Sequence, residues 1–182
     1  WPGSEGRPGP VSEARLKAEA LTVMEEIPQL LGRPNVKVHI HGYSMGSGIA
    51  AHVASKTNPE TLILQSSYSS LCEIMTARTF LPACWLPGVD KWDNRPYVAN
   101  INAPILQLHG LQDNLIPPAY GKNLAMAFIE DGDRLTVHTY PDVGHNDFWK
   151  SGHISAIHDF IRQIPFGHNT VTEADIDQVF PK

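Results

Sequence analysis

Residues 39–50 read HIHGYSMGSGIA, and the reading of the whole fold turns on this stretch. Val36, Val38 and Ile40 interleave with Lys37, His39 and His41, the two-residue alternation of a β-strand. Behind Ser44 the run GSGIAAHVASK is rich in small residues and reads as a helix lying close against a sheet. Ser44 therefore sits on a tight strand-to-helix turn inside a G-x-S-x-G pattern, with Gly42 and Gly46 expected because side chains there would collide with neighbouring backbone. Such a serine is either a nucleophile or one more residue of a glycine-rich turn. A hydroxyl is a poor nucleophile until a base takes its proton, and the base needs a third group to hold its tautomer, so the partners decide.

Working outward, TLILQSS at 61–67, PILQLHG at 104–110 and RLTVHTY at 134–140 are further strand candidates, each bounded by Pro, Gly, Asn or Asp. Helical spacing falls between or after them, at roughly 118–130 (Leu124, Ala125, Phe128, Ile129) and 150–163 (Ile154, Ile157, Phe160, Ile161). Upstream, Ser12 is an N-cap candidate for an amphipathic helix whose Leu16, Ala20, Val23, Met24, Ile27, Leu30 and Leu31 predict one buried face. Pro28 should kink or unravel that helix, and Gly32 and Pro34 should stop it. Strands alternating with helices of this length predict an α/β fold with a mostly parallel sheet covered on both faces. Residues 68–103 form a long connection with Trp85 and Trp92, broken by Pro82, Pro87 and Pro96. It reads either as a lid over a site or as a loop packed back on its own aromatics. Residues 1–164 are taken as one domain and 165–182 as a tail, in which TEADIDQVF can form one more helical segment.

In such a sheet, functional groups gather at the carboxyl ends of the strands. LQDNLIPP follows the strand at 104–110 and puts Asp113 there; PDVGHNDFW follows the strand at 134–140 and puts His145 in the next such loop. Ser44, Asp113 and His145 thus occur in the order nucleophile, acid, base, each after a predicted strand. Helix capping by Asp113 or a surface position for His145 would each explain one residue, and neither explains the order. Asp142 and Asp147 are alternative acids lying very near His145 in sequence and read better as solvated turn residues.

Composition removes other classes. A formal net charge of −5 without a basic block argues against nucleic acid as a partner. No apolar run approaches the ~20 residues of a membrane-spanning helix. Cys72 and Cys84 are too few for a disulfide scaffold or a zinc-thiolate site; free thiols are expected, with a single bridge as the alternative. Cys72 lacks a neighbouring histidine signal as a rival nucleophile. His39 and His41 share one strand face without an acidic ligand cluster, so packing against a covering helix is expected rather than metal, and no cofactor is called for. The opening WPGSEGRPGP is a loop, and the chain is expected to begin inside a larger protein.

These residues resemble the α/β-hydrolase fold, and within it the bud-emergence-like branch of serine hydrolases that also holds the protein depalmitoylases. The likeness is carried by SEGRPGPVSEARLKAEA, GYSMGSGIAAHVAS, LILQSSYSS, KWDN, PILQLHGLQDNLIPP and GHNDFW, so it covers about residues 3–163. It implies Ser44 as nucleophile, Asp113 as triad acid and His145 as general base. It further implies the Met45 amide as an oxyanion-hole donor, and Tyr43 beside the nucleophile as a substrate-binding residue. The implied substrates are acyl esters or thioesters, lipid or acyl-protein in kind; a prolyl-oligopeptidase-like peptidase or a hydrolase-like interaction module are the alternatives. Many members carry an N-terminal membrane anchor, which makes membrane association through a preceding segment an expectation. The resemblance also implies that the chain corresponds to the carboxyl-terminal part of the fold. The N-terminal strands and the second oxyanion donor would then be missing, and self-association through the open strand edge becomes a further expectation.

Overall fold

The computed structural model describes residues 6, 8–131, 134–148, 152–163 and 171–180. Four strands form one sheet: β1 (His39–Tyr43), β2 (Thr61–Gln65), β3 (Ile105–Gly110) and β4 (Leu135–Tyr140). They lie in the order β1-β2-β3-β4 with every pair parallel, the register running through His39 opposite Thr61, Leu62 opposite Ile105 and Ile105 opposite Leu135. Six helices accompany them among the described residues: α1 (Glu13–Leu30), α2 (Met45–Ala54), α3 (Leu71–Thr79), α4 (Pro118–Asp131), α5 (His153–Gln163) and α6 (Glu173–Val179).

The two faces of the sheet follow from the two-residue period. Leu62, Leu64 and Ile105 point to one side and pack against Ala50, Ala51 and Ala54 of α2 and Leu124, Ala125 and Phe128 of α4. Ile63, Leu106 and Leu108 point to the other and meet Phe160 of α5, with Val143 and Phe148. Burying both faces is why β2 and β3 read as continuous apolar runs. This is the architecture of the α/β-hydrolase fold, in which the small residues of α2 let helix and sheet approach closely.

Several expectations change. β1 begins three residues later than the apolar alternation, because the ladder starts only where β2 starts; Val38 contributes a single bond, its carbonyl accepting from the Glu60 amide at 2.8 Å. His39 and His41 do not pack under a helix. Both stay exposed on the strand face, His39 Nδ1 lying 2.8 Å from Thr61 Oγ1 and His41 Nε2 3.2 Å from Gln65 Oε1. The outer edge of β1 has no strand partner among the described residues. That openness also leaves the apolar face of α1 only partly covered. Leu16 is buried, whereas Ala20, Val23, Met24 and Ile27 line an open groove shared with Val38, Ile40 and Gly46. Pro28 does not end α1, which is capped by Ser12 accepting from the Arg15 amide and runs on to Leu30.

The long connection 68–103 is more ordered than a loop. Ser70 accepts from the Glu73 amide and starts α3, a helix the sequence reading passes over although its Ser-x-x-Glu start is a cap signal. Cys72 and Cys84 form a disulfide that fastens the turn at Ala83–Trp85 to α3, in place of the expected free thiols. Trp92 and Tyr68 turn inward and pack with Leu16, Ile74 and Ile116, so part of the segment does fold back on its own aromatics. Lys17, buried on α1, holds this arrangement by an ion pair with Glu13 and a 2.9 Å hydrogen bond to the Tyr97 hydroxyl. Within 165–182, the expected tail, Ile176 and Phe180 are buried in the α2/α4 core. The opening residues 1–5 and the FGHNT turn at 166–170 lie outside the described residues.

Candidate active site

All strands being parallel, β1, β3 and β4 end at the same side of the sheet, and the loops behind them meet. Ser44 follows Tyr43 with φ 54° and ψ −126°, a conformation at positive φ that a residue with a Cβ adopts only when its surroundings impose it. The imposing contacts are local. The Ser44 amide donates to Gln65 O at 2.9 Å, and its carbonyl accepts from Ser47 at 2.9 Å. A Cβ on Gly42 would stand 2.6 Å from Gly46 O, Ser47 Cα and Ala50 Cβ, so α2 can start this close to β1 only over a glycine. Gly46 is different from expectation: a Cβ there meets nothing within 4 Å, because it faces the open groove beside β1.

Ser44, His145 and Asp113 come together as a chain. His145 Nε2 lies 2.9 Å from Ser44 Oγ, and His145 Nδ1 lies 2.8 Å from Asp113 Oδ2. A carboxylate only accepts, so Nδ1 carries the imidazole proton and Nε2 is left bare, in position to accept from the serine hydroxyl. Asp113 is 2% exposed and its other oxygen, Oδ1, accepts from the amides of Leu115 at 2.9 Å and Ile116 at 2.7 Å. Those bonds fix the carboxylate plane. The loop bearing the acid is in turn tied to the loop bearing the base, Leu111 donating to Tyr140 O at 2.9 Å and Gln112 to Val143 O at 3.0 Å. Asp142 and Asp147 are not the carboxylates His145 meets.

Tyr43 lies behind the histidine. Its ring centroid is 5.1 Å from that of His145, and its hydroxyl donates to His145 O at 2.8 Å, with Asn146 Oδ1 also at 2.8 Å. The phenol is therefore occupied by the loop that carries the base, a contact the sequence did not announce. Burial, then the nearby Asp113 charge, raises the Tyr43 pKa, so it stays a neutral donor. Met45 opens α2, which sets its amide at the positive end of the helix next to Ser44.

A second histidine stands under the site. His109 at the end of β3 is fully buried, and its Nε2 donates to Ile116 O at 3.0 Å, the residue whose own amide holds Asp113. Burial lowers its pKa, so the ring is neutral, with the proton on Nε2. Sequence reasoning had no signal for it beyond a histidine in the strand LQLHG. Together these groups set a hydroxyl against an imidazole that is oriented by a buried carboxylate, an arrangement able to split acyl transfer into two steps.

Comparison with known proteins identifies the family and the fold. The phospholipase/carboxylesterase family model matches residues 9–164. A Mycobacterium tuberculosis protein of uncharacterised function is 30% identical over 149 residues, covering 80% of this chain and 50% of that protein. The lysophosphatidylserine lipase ABHD12 of Danio rerio is 29% identical over 143 residues, covering 68% of this chain and 36% of that one. The chain thus spans half or less of the length of these curated relatives. Among solved structures, a Pyrococcus furiosus esterase superposes with a TM-score of 0.69 at 12% identity over 88% of this chain and 65% of that one. A Pyrococcus horikoshii acylaminoacyl peptidase gives 0.68 at 14% identity, over 88% and 29%. With the sheet order, the Ser44 turn and the family match in agreement, the chain belongs to the phospholipase/carboxylesterase family of α/β-hydrolases.

Proposed function

We propose that the chain is the nucleophile-bearing part of a serine hydrolase that cleaves acyl esters or thioesters, with lipid or acyl-protein substrates, through a covalent acyl-enzyme. The observation that carries this is the hydrogen-bonded run from Ser44 Oγ through His145 to Asp113, at 2.9 and 2.8 Å. His145 Nε2 takes the Ser44 proton as Oγ attacks the acyl carbon. The resulting oxyanion is met by the Met45 amide, and His145 returns the proton to the leaving alcohol or thiol. Water then attacks the acyl-serine with His145 again as base, releasing the acid and restoring the hydroxyl. Asp113 stays ionised throughout and stabilises the imidazolium. Tyr43 serves this cycle by holding the His145 loop through its hydroxyl.

The finer placement is in the bud-emergence-like branch, with this chain as the carboxyl-terminal portion of the hydrolase fold. The open edge of β1 and the unfilled groove along α1 support it. A preceding segment would pair with β1 and add the second oxyanion donor, whose loss typically lowers turnover about 100- to 1000-fold.

A fluorophosphonate probe tests the mechanism. Labelling of the 182-residue chain at Ser44 that disappears in Ser44→Ala and in His145→Ala is the expected result. A folded chain that is not labelled would leave only the interaction-module alternative. Robust unassisted turnover of aryl esters would overturn the need for a second oxyanion donor.

A further inference from the structure

We propose that the disulfide-tied cap formed by α3 and the turn after it is a lipid-docking surface, through which the site beside it is brought onto a bilayer; this rests on the acyl-hydrolase reading for its purpose. The cap turns its largest apolar side chains outward. Phe80 is 91% exposed and Trp85 88%, and with them Leu81, Leu86, Met75 and Leu115 are all exposed. Phe80 stands at the end of α3 with φ 57°, a conformation uncommon for a residue with a Cβ. Its outward ring is a consequence of a defined backbone. Phe80 donates its amide to Thr76 O at 2.9 Å, Ala83 is buried with its amide on Thr76 Oγ1 at 3.1 Å, and Cys72–Cys84 closes the base of the turn.

The cap is coupled to the site. Arg78 on α3 donates to the carbonyls of Asn114 and, at 2.9 Å, Leu115, the residues directly after Asp113, and the Leu115 side chain is itself half exposed. Two nearly free aromatic rings present roughly 300–400 Å². With the aliphatic side chains the patch reaches the upper end of what a monomer exposes, about 300–600 Å², and falls short of the ~800 Å² per partner of a stable protein interface. A second copy of the chain is therefore a poor occupant. A bilayer interface has no shape to match, and Trp and Phe on a rigid protrusion are the side chains that settle at its headgroup level. Between Leu71 and Leu86 the one basic side chain, Arg78, is engaged with the two carbonyls, and the chain is anionic overall. Docking should thus come from apolar insertion and not from attraction to acidic lipid.

The test is co-flotation of the 182-residue chain with phosphatidylcholine vesicles, with and without phosphatidylserine, read alongside tryptophan emission. Binding to pure phosphatidylcholine at least as strong as to the acidic vesicles is expected. The double variant Phe80→Glu/Trp85→Glu should bind at least about ten-fold more weakly while keeping its circular dichroism and its fluorophosphonate labelling. Leu30→Glu, which removes a similarly exposed apolar side chain from α1, should bind as the parent does. No co-flotation by the folded parent, undiminished co-flotation by the double variant, or a dimer that the double variant disperses would each overturn the proposal. Ser44→Ala should still float. Flotation without probe labelling of the parent would sink the hydrolase reading alone, and labelling without flotation the docking surface alone.

Discussion

Replacing Asp113 by asparagine isolates what the buried carboxylate does. The change is isosteric, so the question is which way the amide turns. Asp113 Oδ1 accepts two backbone amides, at 2.9 and 2.7 Å, and an NH2 group in that position would face two donors. The amide oxygen therefore keeps that place and the NH2 takes the position 2.8 Å from His145 Nδ1. Nδ1 must then accept, the ring proton moves to Nε2, and Nε2 donates to Ser44 Oγ instead of taking its proton. Geometry survives while the base is lost. In triads of this kind that inversion lowers kcat by about 10⁴, or roughly 5.5 kcal/mol of transition-state stabilisation. Stability should fall far less, by about 2–3 kcal/mol, as three charge-assisted hydrogen bonds become neutral ones. The assay is the pseudo-first-order rate of Ser44 phosphonylation, parent and variant compared at the same pH, with urea unfolding on the same preparations. If the Asp113→Asn chain folds and is phosphonylated within about ten-fold of the parent rate, against the loss expected of an inverted tautomer, the assigned proton position is refuted and with it the role of Asp113.

Other consequences are equally open to measurement. Gly42→Ala places a Cβ 2.6 Å from backbone atoms of Gly46 and Ser47, so the thermal midpoint should drop, with a cost of about 1–3 kcal/mol, and Ser44 labelling should fall with it. Gly46→Ala meets open space and should melt no lower than the parent, up to about 1 kcal/mol being gained from helix propensity. His109 is held neutral by burial, so the unfolded chain takes up a proton that the native state refuses once pH falls below about 6.5. Stability is unaffected by this group above that pH and declines by up to about 1.4 kcal/mol per unit below it; the urea midpoint should fall between about pH 7 and pH 5, and His109→Gln should flatten that slope. Reducing Cys72–Cys84 opens a loop whose closure is worth about 3 kcal/mol by chain entropy, and limited trypsin digestion should then gain a cut at Arg78 that the oxidised chain does not show.

Much of the site was legible because its signals are local. The glycine at 42, the alternation before it and the small residues after it describe a strand-to-helix turn from about a dozen positions. The loops holding Asp113 and His145 are marked by Pro, Gly, Asn and Asp beside apolar runs. The cap was less legible. Ser70 and Glu73 signal the start of α3, yet the prolines downstream dominate the segment, and nothing in the spacing of Cys72 and Cys84 decides between two thiols and a bridge. The face of α1 misled for the opposite reason: its periodicity is strong, but burial depends on what lies beyond the edge of β1.

By itself, then, the sequence determined a parallel α/β sheet with Ser44, Asp113 and His145 at the carboxyl ends of its strands, since periodicity, turn chemistry and chain order are properties of neighbouring residues. Only the tertiary structure decided that Ser44 and His145, 101 positions apart, stand at 2.9 Å, and that His145 turns to Asp113, 32 positions away, with its proton on Nδ1. It also decided that Tyr43 bonds the His145 loop, that His109 lies beneath the acid loop, and that Phe80 and Trp85 face outward. Those facts depend on strand register and on which surfaces find a neighbour, and register is fixed by pairing between segments far apart in the chain.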